Sequence, residues 1–174
     1  MQKAELIKKF IQNHQEIIQY IDNLDEKKFT YVHNGKWSAG QQLEHILLTI
    51  IPFPNILFSK KYLIEKFGYI NRETWNYQTV LENYSKTTLK APDRFLPQEK
   101  ITINQKSTII SDIKKILEQI KECFEKYSEE ELDTLTLPHP LLGKITIREM
   151  FYLMLFHPLH HKKQIQEILK NNID

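Results

Sequence analysis

Apolar residues recur at helical spacing in four long stretches of the chain. The stretches cover residues 3–24, 38–68, 106–127 and 146–171. An apolar residue at every third or fourth position forms a continuous stripe along one face of a helix, and that stripe must be buried against a partner. The chain has only four glycines that could interrupt such segments. We therefore predict an all-α fold with four long helices.

Capping signals at the start of two stretches support this prediction. Ser38 with Gln41, and Thr146 with Glu149, have the spacing of a capping box, in which two residues each satisfy a backbone N–H at the beginning of a helix. The third stretch is expected to begin near Lys106.

Prolines interrupt two of the predicted helices. Pro52 and Pro54 must break or kink the second helix, because each lacks a backbone N–H and crowds the preceding turn. We expect that helix to end at Gly68. Pro158 lies inside the fourth helix and could bend it.

The shorter segments between the stretches are predicted to be connections. Residues 25–36 are polar and contain the turn signal His33-Asn34-Gly35. The acidic run 129–133 is predicted to be a solvated turn. Residues 137–145 contain two prolines and a glycine, which favour an ordered, non-helical connection.

Residues 69–105 are predicted to form an irregular insertion between helices two and three, with a short helix near 74–84. An insertion of this size is either a lid or a packing appendage. Its aromatic residues could line a substrate pocket or, more simply, anchor the loop on the helices. They are Tyr69, Trp75, Tyr77, Tyr84 and Phe95.

Length and composition exclude several classes of protein. The 174 residues are expected to form a single domain, 1–174. A net charge of +2 gives no reason to expect nucleic acid or a membrane surface as a partner. One cysteine excludes an internal disulfide, no run of apolar residues predicts a transmembrane helix, and the polar N-terminus does not suit a signal peptide. We therefore expect a cytoplasmic protein.

The fourth stretch supplies candidate metal ligands. His157 and His161 are four residues apart, so on a helix they lie on one face and can bind one metal ion. They continue an inward-facing row through Met150 and Met154, whereas His160 points about 100° away. The alternative is a solvated helix end stabilised by the helix dipole. Because two ligands rarely hold zinc or nickel, a third must come from elsewhere in the fold.

Other candidate residues have plain structural explanations. His45 lies off the centre of its apolar stripe, which is more typical of a surface histidine, although its helix is apolar around much of its circumference. His14 is best explained as a hydrogen-bonded core histidine. Cys123 is expected to be a buried, inert thiol.

Three segments resemble the DinB-like superfamily, and the likeness covers nearly the whole chain. They are Trp37-Ser38-Ala39-Gly40-Gln41-Gln42-Leu43-Glu44-His45, His139-Pro140-Leu141-Leu142-Gly143-Lys144, and His157 through Gln164 with the spacing His-x-x-x-His-x-x-Gln. The resemblance implies a four-helix bundle, commonly a homodimer, that holds a divalent metal ion, often zinc or nickel, with three histidines. It assigns these ligands to His45, His157 and His161, and it gives no role to Gln164.

The resemblance implies the site more firmly than the reaction. Members include thiol S-transferases that use bacillithiol or mycothiol and a mycothiol-dependent maleylpyruvate isomerase, so the first hypothesis is a transferase that uses a low-molecular-weight thiol on a small-molecule substrate. A hydrolase that activates water is the alternative, but it needs a general base. Glu44 points about 100° away from His45 on a helix, and the absence of a convincing base favours the transferase. A third alternative is a non-enzymatic bundle that a metal only stabilises.

Overall fold

A computed structural model describes residues 1–88 and 90–171 and confirms the helical fold. The helices are α1 (Lys3–Asp22), α2 (Glu26–Thr30), α3 (Ala39–Ile50), α4 (Phe53–Leu57), α5 (Lys60–Lys66), α6 (Tyr77–Ser85), α7 (Ile103–Glu125), α8 (Glu129–Thr134) and α9 (Ile147–Leu169). The other elements are a 3-10 turn, Asp93–Phe95, and two strands, β1 (Thr136–His139) and β2 (Gly143–Thr146).

Four helices, α1, α3, α7 and α9, form a bundle around the core. The most extensive packing joins α1 to α9 and α3 to α7, while α1 also packs on α7 and α3 on α9. The rings of Phe10 and Phe124 contact Phe151 at the centre, with centroids 5.0 and 4.4 Å from it. The predicted four-helix bundle is therefore confirmed.

Both predicted capping boxes are present. The Ser38 hydroxyl accepts from the backbone N–H of Gln41, and the Gln41 side chain accepts from the backbone N–H of Ser38. Thr146 and Glu149 make the same pair of hydrogen bonds at the start of α9. These local signals fix where α3 and α9 begin.

The predicted second helix is divided into three segments. α3 ends at Ile50 because Pro52 follows, and α4 begins directly after that proline. α5 ends before Gly68, which has a φ of +67° and donates its N–H to the carbonyl of Leu63 at 3.0 Å. Pro158, in contrast, lies inside a continuous α9.

The prediction that residues 25–36 form a loop is wrong in part, because α2 lies within them, and the prediction that residues 129–133 form a turn is wrong, because they lie within α8. Asp25 caps α2. The Phe29 ring of this helix packs so close to Gly40 that a Cβ atom on residue 40 would lie 2.8 Å from the ring. Ser128 forms a capping box with Glu131 at the start of α8. The turn at residues 33–36 is present.

α8 and α7 were mispredicted for different reasons. Arg148 of α9 is buried and pairs with Glu129 and Asp133 of α8, so a contact distant in sequence supports this helix. α7 begins earlier than predicted, at Ile103, because the Gln105 side chain accepts from the backbone N–H and the hydroxyl of Thr102 at 2.8 and 3.0 Å, a local signal that the periodicity did not show.

Residues 137–145 contain a β-hairpin that the sequence did not indicate. β1 and β2 pair antiparallel, and Gly143 takes a φ of +68° where the chain reverses. Prolines argue against strands, but Pro138 is tolerated because the sheet has only two strands.

Two buried carboxylates hold the insertion against α9 and α3. Glu149 accepts two bonds from the guanidinium of Arg72, at 2.7 and 2.9 Å, and one from the backbone N–H of Trp75 at 2.6 Å. Glu44 accepts from the backbone N–H and the side-chain amide of Gln98 at 2.6 and 2.7 Å.

No helix in the described residues is long and apolar enough to cross a membrane.

Candidate metal centre

Three histidine side chains meet between α3 and α9. His45 comes from α3, and His157 and His161 come from successive turns of α9. The Nε2 atom of His157 lies 3.0 Å from Nε2 of His45 and 3.1 Å from Nε2 of His161. The ligand atoms of this group all lie within 4.8 Å of one another and could hold a metal ion.

His45 is buried, although the pattern along α3 was more typical of a surface position. The residue is 5 % exposed, and its ring lies against Trp37, with centroids 5.0 Å apart. The insertion contacts this helix through Phe95, which binds His45, and through Gln98, which binds the buried Glu44. A helix that is covered on two sides has no single apolar stripe, so periodicity alone does not identify all of its buried positions.

Hydrogen bonds on the outer side of two rings fix the position of their protons. Nδ1 of His45 donates to the carbonyl oxygen of Phe95 at 2.7 Å, and Nδ1 of His161 donates to Oε1 of Gln42 at 3.0 Å. The Gln42 amide is oriented by its own donation to the carbonyl of Trp37 at 3.1 Å. With the proton on Nδ1 of both rings, both Nε2 atoms present lone pairs to the centre of the cluster.

This donor set fits a divalent cation. Of the three facing nitrogens, only Nε2 of His157 can carry a proton, and one proton cannot fully satisfy the lone pairs of both His45 and His161. Two nitrogens that are each about 2.0–2.1 Å from one ion lie about 2.8–3.4 Å apart for bond angles of about 90–109°. The two separations from Nε2 of His157, 3.0 and 3.1 Å, fall in that interval, and the three ligand atoms all lie within 4.8 Å of one another. Three imidazoles also leave at least one metal position open.

Burial keeps the three imidazoles neutral, which is the form that binds metal. It holds the pKa of His157 and of His161 well below the ordinary value, and the nearby imidazoles lower both further. Burial also lowers the pKa of His45, against the opposing effect of the bond to Phe95. Binding therefore requires little proton release at neutral pH.

His14 is buried in the core as predicted, but only one of its ring nitrogens is hydrogen-bonded. Its Nδ1 lies 2.7 Å from the carbonyl oxygen of Phe10, and burial lowers its pKa to about 4. Its Nε2 and the Nδ1 of His157 are buried without a hydrogen-bond partner in the described residues. His14 does not belong to the three-histidine group.

Three other candidates also lie outside the cluster. Nε2 of His160 accepts from the side-chain amide of Gln164 at 2.9 Å, in agreement with the helical register. Glu44 binds Gln98 and so faces the insertion. Cys123 is a buried thiol on α7, as expected.

A cavity of about 810 Å³ reaches the three histidines. Most of its wall is apolar and comes from α3, α4, α9, the hairpin and the insertion. Tyr84 and Phe95 line it, whereas Trp75 and Tyr77 pack against the core and Tyr69 is exposed. The aromatic residues of the insertion therefore both line a cavity and anchor the insertion on the helices.

Two residues at the site were not predicted from the sequence. Gln42 lies three positions before His45, a spacing that places both on one face of α3 and could have revealed the partner of His161. His139 lines the cavity, and its Nδ1 accepts backbone N–H groups of the hairpin turn at 3.2 and 3.1 Å, so its proton lies on Nε2. Burial lowers the pKa of His139 to about 4.

Comparisons with known proteins agree with this architecture. TT2238, a four-helix bundle protein, aligns with a TM-score of 0.59 and 14 % identity over 95 % of this chain and 99 % of its own. YfiT from Bacillus subtilis, described as a probable metal-dependent hydrolase with an unusual four-helix bundle topology, aligns with a TM-score of 0.64 and 15 % identity over 98 % of this chain and 87 % of its own. At these identities the likeness shows the fold alone. A search of curated proteins gave no match.

The sequence profile of the DinB superfamily matches residues 9–165, which is most of the chain. The protein therefore belongs to the DinB superfamily.

Proposed function

We propose that this protein is a metal-dependent thiol S-transferase that holds a divalent ion with His45, His157 and His161. Its substrate is an electrophilic small molecule bound in the adjoining cavity. The proposal rests on the cluster of three Nε2 atoms, two of which present lone pairs because of outer hydrogen bonds, at the wall of a large apolar cavity. Zinc and nickel are the ions we expect, because both suit imidazole ligands.

A divalent ion in this position supplies Lewis acidity, which lowers the pKa of a thiol or a water molecule at its open coordination position. The protein's own residues orient the ligands and exclude water. The carbonyl of Phe95 and the amide of Gln42 hold two rings in place, and the apolar wall favours a weakly solvated electrophile. In the reaction, the thiol sulfur bonds to the electrophilic carbon, the leaving group departs with its electron pair, and the thiol proton passes to solvent.

The lining of the cavity supports a thiol as the nucleophile rather than water. A hydrolase needs a general base close to the attacking water, and no Asp or Glu side chain of the described residues lines the cavity. His160 is already an acceptor for Gln164, and His139 carries its proton on Nε2, so neither offers a free basic nitrogen in this arrangement. A thiol starts from a pKa of about 8.5, against about 15.7 for water, so it loses its proton to solvent more readily without a base.

Hydrolysis is the second candidate, because the similarly folded YfiT from Bacillus subtilis is described as a probable metal-dependent hydrolase. A non-enzymatic role, in which the metal only stabilises the bundle, is the third. The three differ in which substrate, if any, the metal-loaded protein converts.

The direct test compares thiol transfer and ester hydrolysis. Zinc- or nickel-loaded protein is incubated with cysteine, glutathione or bacillithiol and chlorodinitrobenzene, and separately with nitrophenyl acetate without thiol. We expect metal-dependent formation of the thioether, lost in His161→Ala and kept in Lys114→Gln, because Lys114 is exposed on α7 and does not line the cavity. Metal-dependent ester hydrolysis without thioether formation would favour the hydrolase. Metal-dependent stability without turnover of either substrate would favour the non-enzymatic role.

The homodimer, the single domain 1–174 and the cytoplasmic location stay predictions. Gel filtration with light scattering tests the first of these.

A further inference from the structure

We infer that the cavity binds organic anions, each with an apolar body and a carboxylate or similar acidic group. This inference deepens the proposed function by naming the charge class of the substrate. It rests on that proposal only in taking this cavity as the substrate site.

The charged residues of the cavity wall are all of one sign. The wall contains four cations and, within the described residues, no Asp or Glu; the cations are Lys36, Lys66, Lys90 and Arg94. The whole chain has 24 Lys and Arg against 22 Asp and Glu. A surface of average composition would therefore carry nearly as many acids as bases, so the cavity is a local excess of positive charge.

These four charges are not neutralised by the protein. None of them forms an ion pair with a carboxylate in the described part of the chain. Lys66 donates to the hydroxyl of Tyr62 at 2.6 Å, and the Arg94 guanidinium lies 4.6 Å from the centroid of the Phe95 ring. Both contacts position the cation but leave its charge uncompensated.

The cations and the histidines occupy different parts of the cavity. The four cations are exposed and come from the turn before α3, the end of α5 and the insertion, whereas His45 and His161 are buried. The positive charge therefore lies at the mouth and the candidate metal centre lies inside. Low-dielectric walls between the two focus the field of the cations on an entering ligand.

This arrangement selects a particular shape of ligand. A volume of about 810 Å³ falls in the range of about 300–1,000 Å³ that is typical of small-molecule sites. An inorganic anion would leave the apolar wall uncovered, and a neutral apolar compound would leave the cations without a partner. A molecule with its acidic group at the mouth and its apolar body inside satisfies both and directs the far end towards the histidines.

A matched pair of probes tests the inference. Isothermal titration calorimetry measures the affinity of phenylbutyrate and of its uncharged amide, at low and at high salt, for metal-loaded and for chelator-treated protein. We expect the anion to bind about three- to tenfold more tightly at low salt, since several partly screened cations face it. The preference should shrink at high salt.

Variants identify the source of the preference. Lys90→Gln combined with Arg94→Gln should reduce it to less than about twofold. Lys114→Gln, which removes an exposed lysine of α7 that does not line the cavity, should keep it. Equal affinity for the two probes, no binding of either, or a preference that survives Lys90→Gln with Arg94→Gln would overturn the inference.

The two protein forms separate this inference from the proposed function. A charge preference in chelator-treated protein that also fails to take up zinc or nickel would contradict the proposed function and support the anion site. Metal uptake without a preference for the anion would support the metal centre of the proposed function and would contradict the anion site. A preference seen only with metal and unaffected by the variants would come from coordination of the carboxylate, and it would overturn the role given to the four cations.

Discussion

Replacing Gln42 with Met should weaken metal binding while all three histidines remain. Gln42 is 1 % exposed, and its Oε1 accepts the Nδ1 proton of His161 at 3.0 Å. Met has a similar length and volume but offers no oxygen. In the variant, the His161 ring loses this restraint, and its proton can move to Nε2, a tautomer that cannot bind a metal at that atom.

The size of the effect follows from the loss of one buried hydrogen bond. A buried N–H left without an acceptor costs about 1–3 kcal/mol, and removal of an outer-shell partner typically lowers metal affinity by about 10–100-fold. We therefore expect the dissociation constant for zinc or nickel to rise by about 10–100-fold, which is about 1.4–2.7 kcal/mol.

Competition with a chromophoric chelator measures this constant for the wild type and three variants. Gln42→Glu retains an acceptor for His161 and should bind metal far more tightly than Gln42→Met. Gln119→Met, at an exposed position of α7, controls for the change in residue type and should match the wild type. Affinity of Gln42→Met within about threefold of the wild type would refute the orienting role of Gln42.

The remaining predictions concern pH, stability and protonation. His14 has a folded-state pKa of about 4 against an ordinary 6.5, so the unfolded chain binds more protons between these values. The contribution of neutral His14 to the free energy of unfolding is complete above pH 6.5, and it falls by up to about 3 kcal/mol as the pH approaches 4. Urea unfolding should show a shallower pH slope for His14→Leu, and equal slopes would refute this. Glu149→Gln should cost about 2–4 kcal/mol, because it breaks the buried pair with Arg72, whereas the control Glu65→Gln, at an exposed ion pair, should change the free energy of unfolding by less than about 0.5 kcal/mol. Equal losses in the two variants would contradict the structure. NMR of the ring nitrogens should find His139 with its proton on Nε2, and a proton on Nδ1 would disagree with the hairpin geometry.

The long helices could be predicted because their determinants are local. An apolar stripe and a capping box lie within one segment, and Ser38 and Thr146 start their helices where these signals place them. The short elements depend on contacts that are distant in sequence. α8 is held by Arg148, and the hairpin contains a proline that argued against a strand.

The histidines of the candidate site show the same difference between local and distant determinants. His157 and His161 could be paired from sequence because both lie on one helix with fixed geometry. His45 lies 112 residues from His157 in the chain, and its burial depends on the insertion that covers α3. Periodicity therefore favoured the surface for His45, and the resemblance to the superfamily was the one indication of its place beside the pair.

Metal content tests the central claim most directly. Elemental mass spectrometry is applied to untagged protein purified without chelator and then titrated with zinc and nickel, for the wild type, His161→Ala and His160→Ala. The three-histidine centre predicts about one ion per chain in the wild type and in His160→Ala, and loss of most of the metal in His161→Ala, because two imidazoles chelate weakly. Full occupancy in His161→Ala, or no metal in the wild type after titration, would contradict the assignment of these histidines as a metal centre.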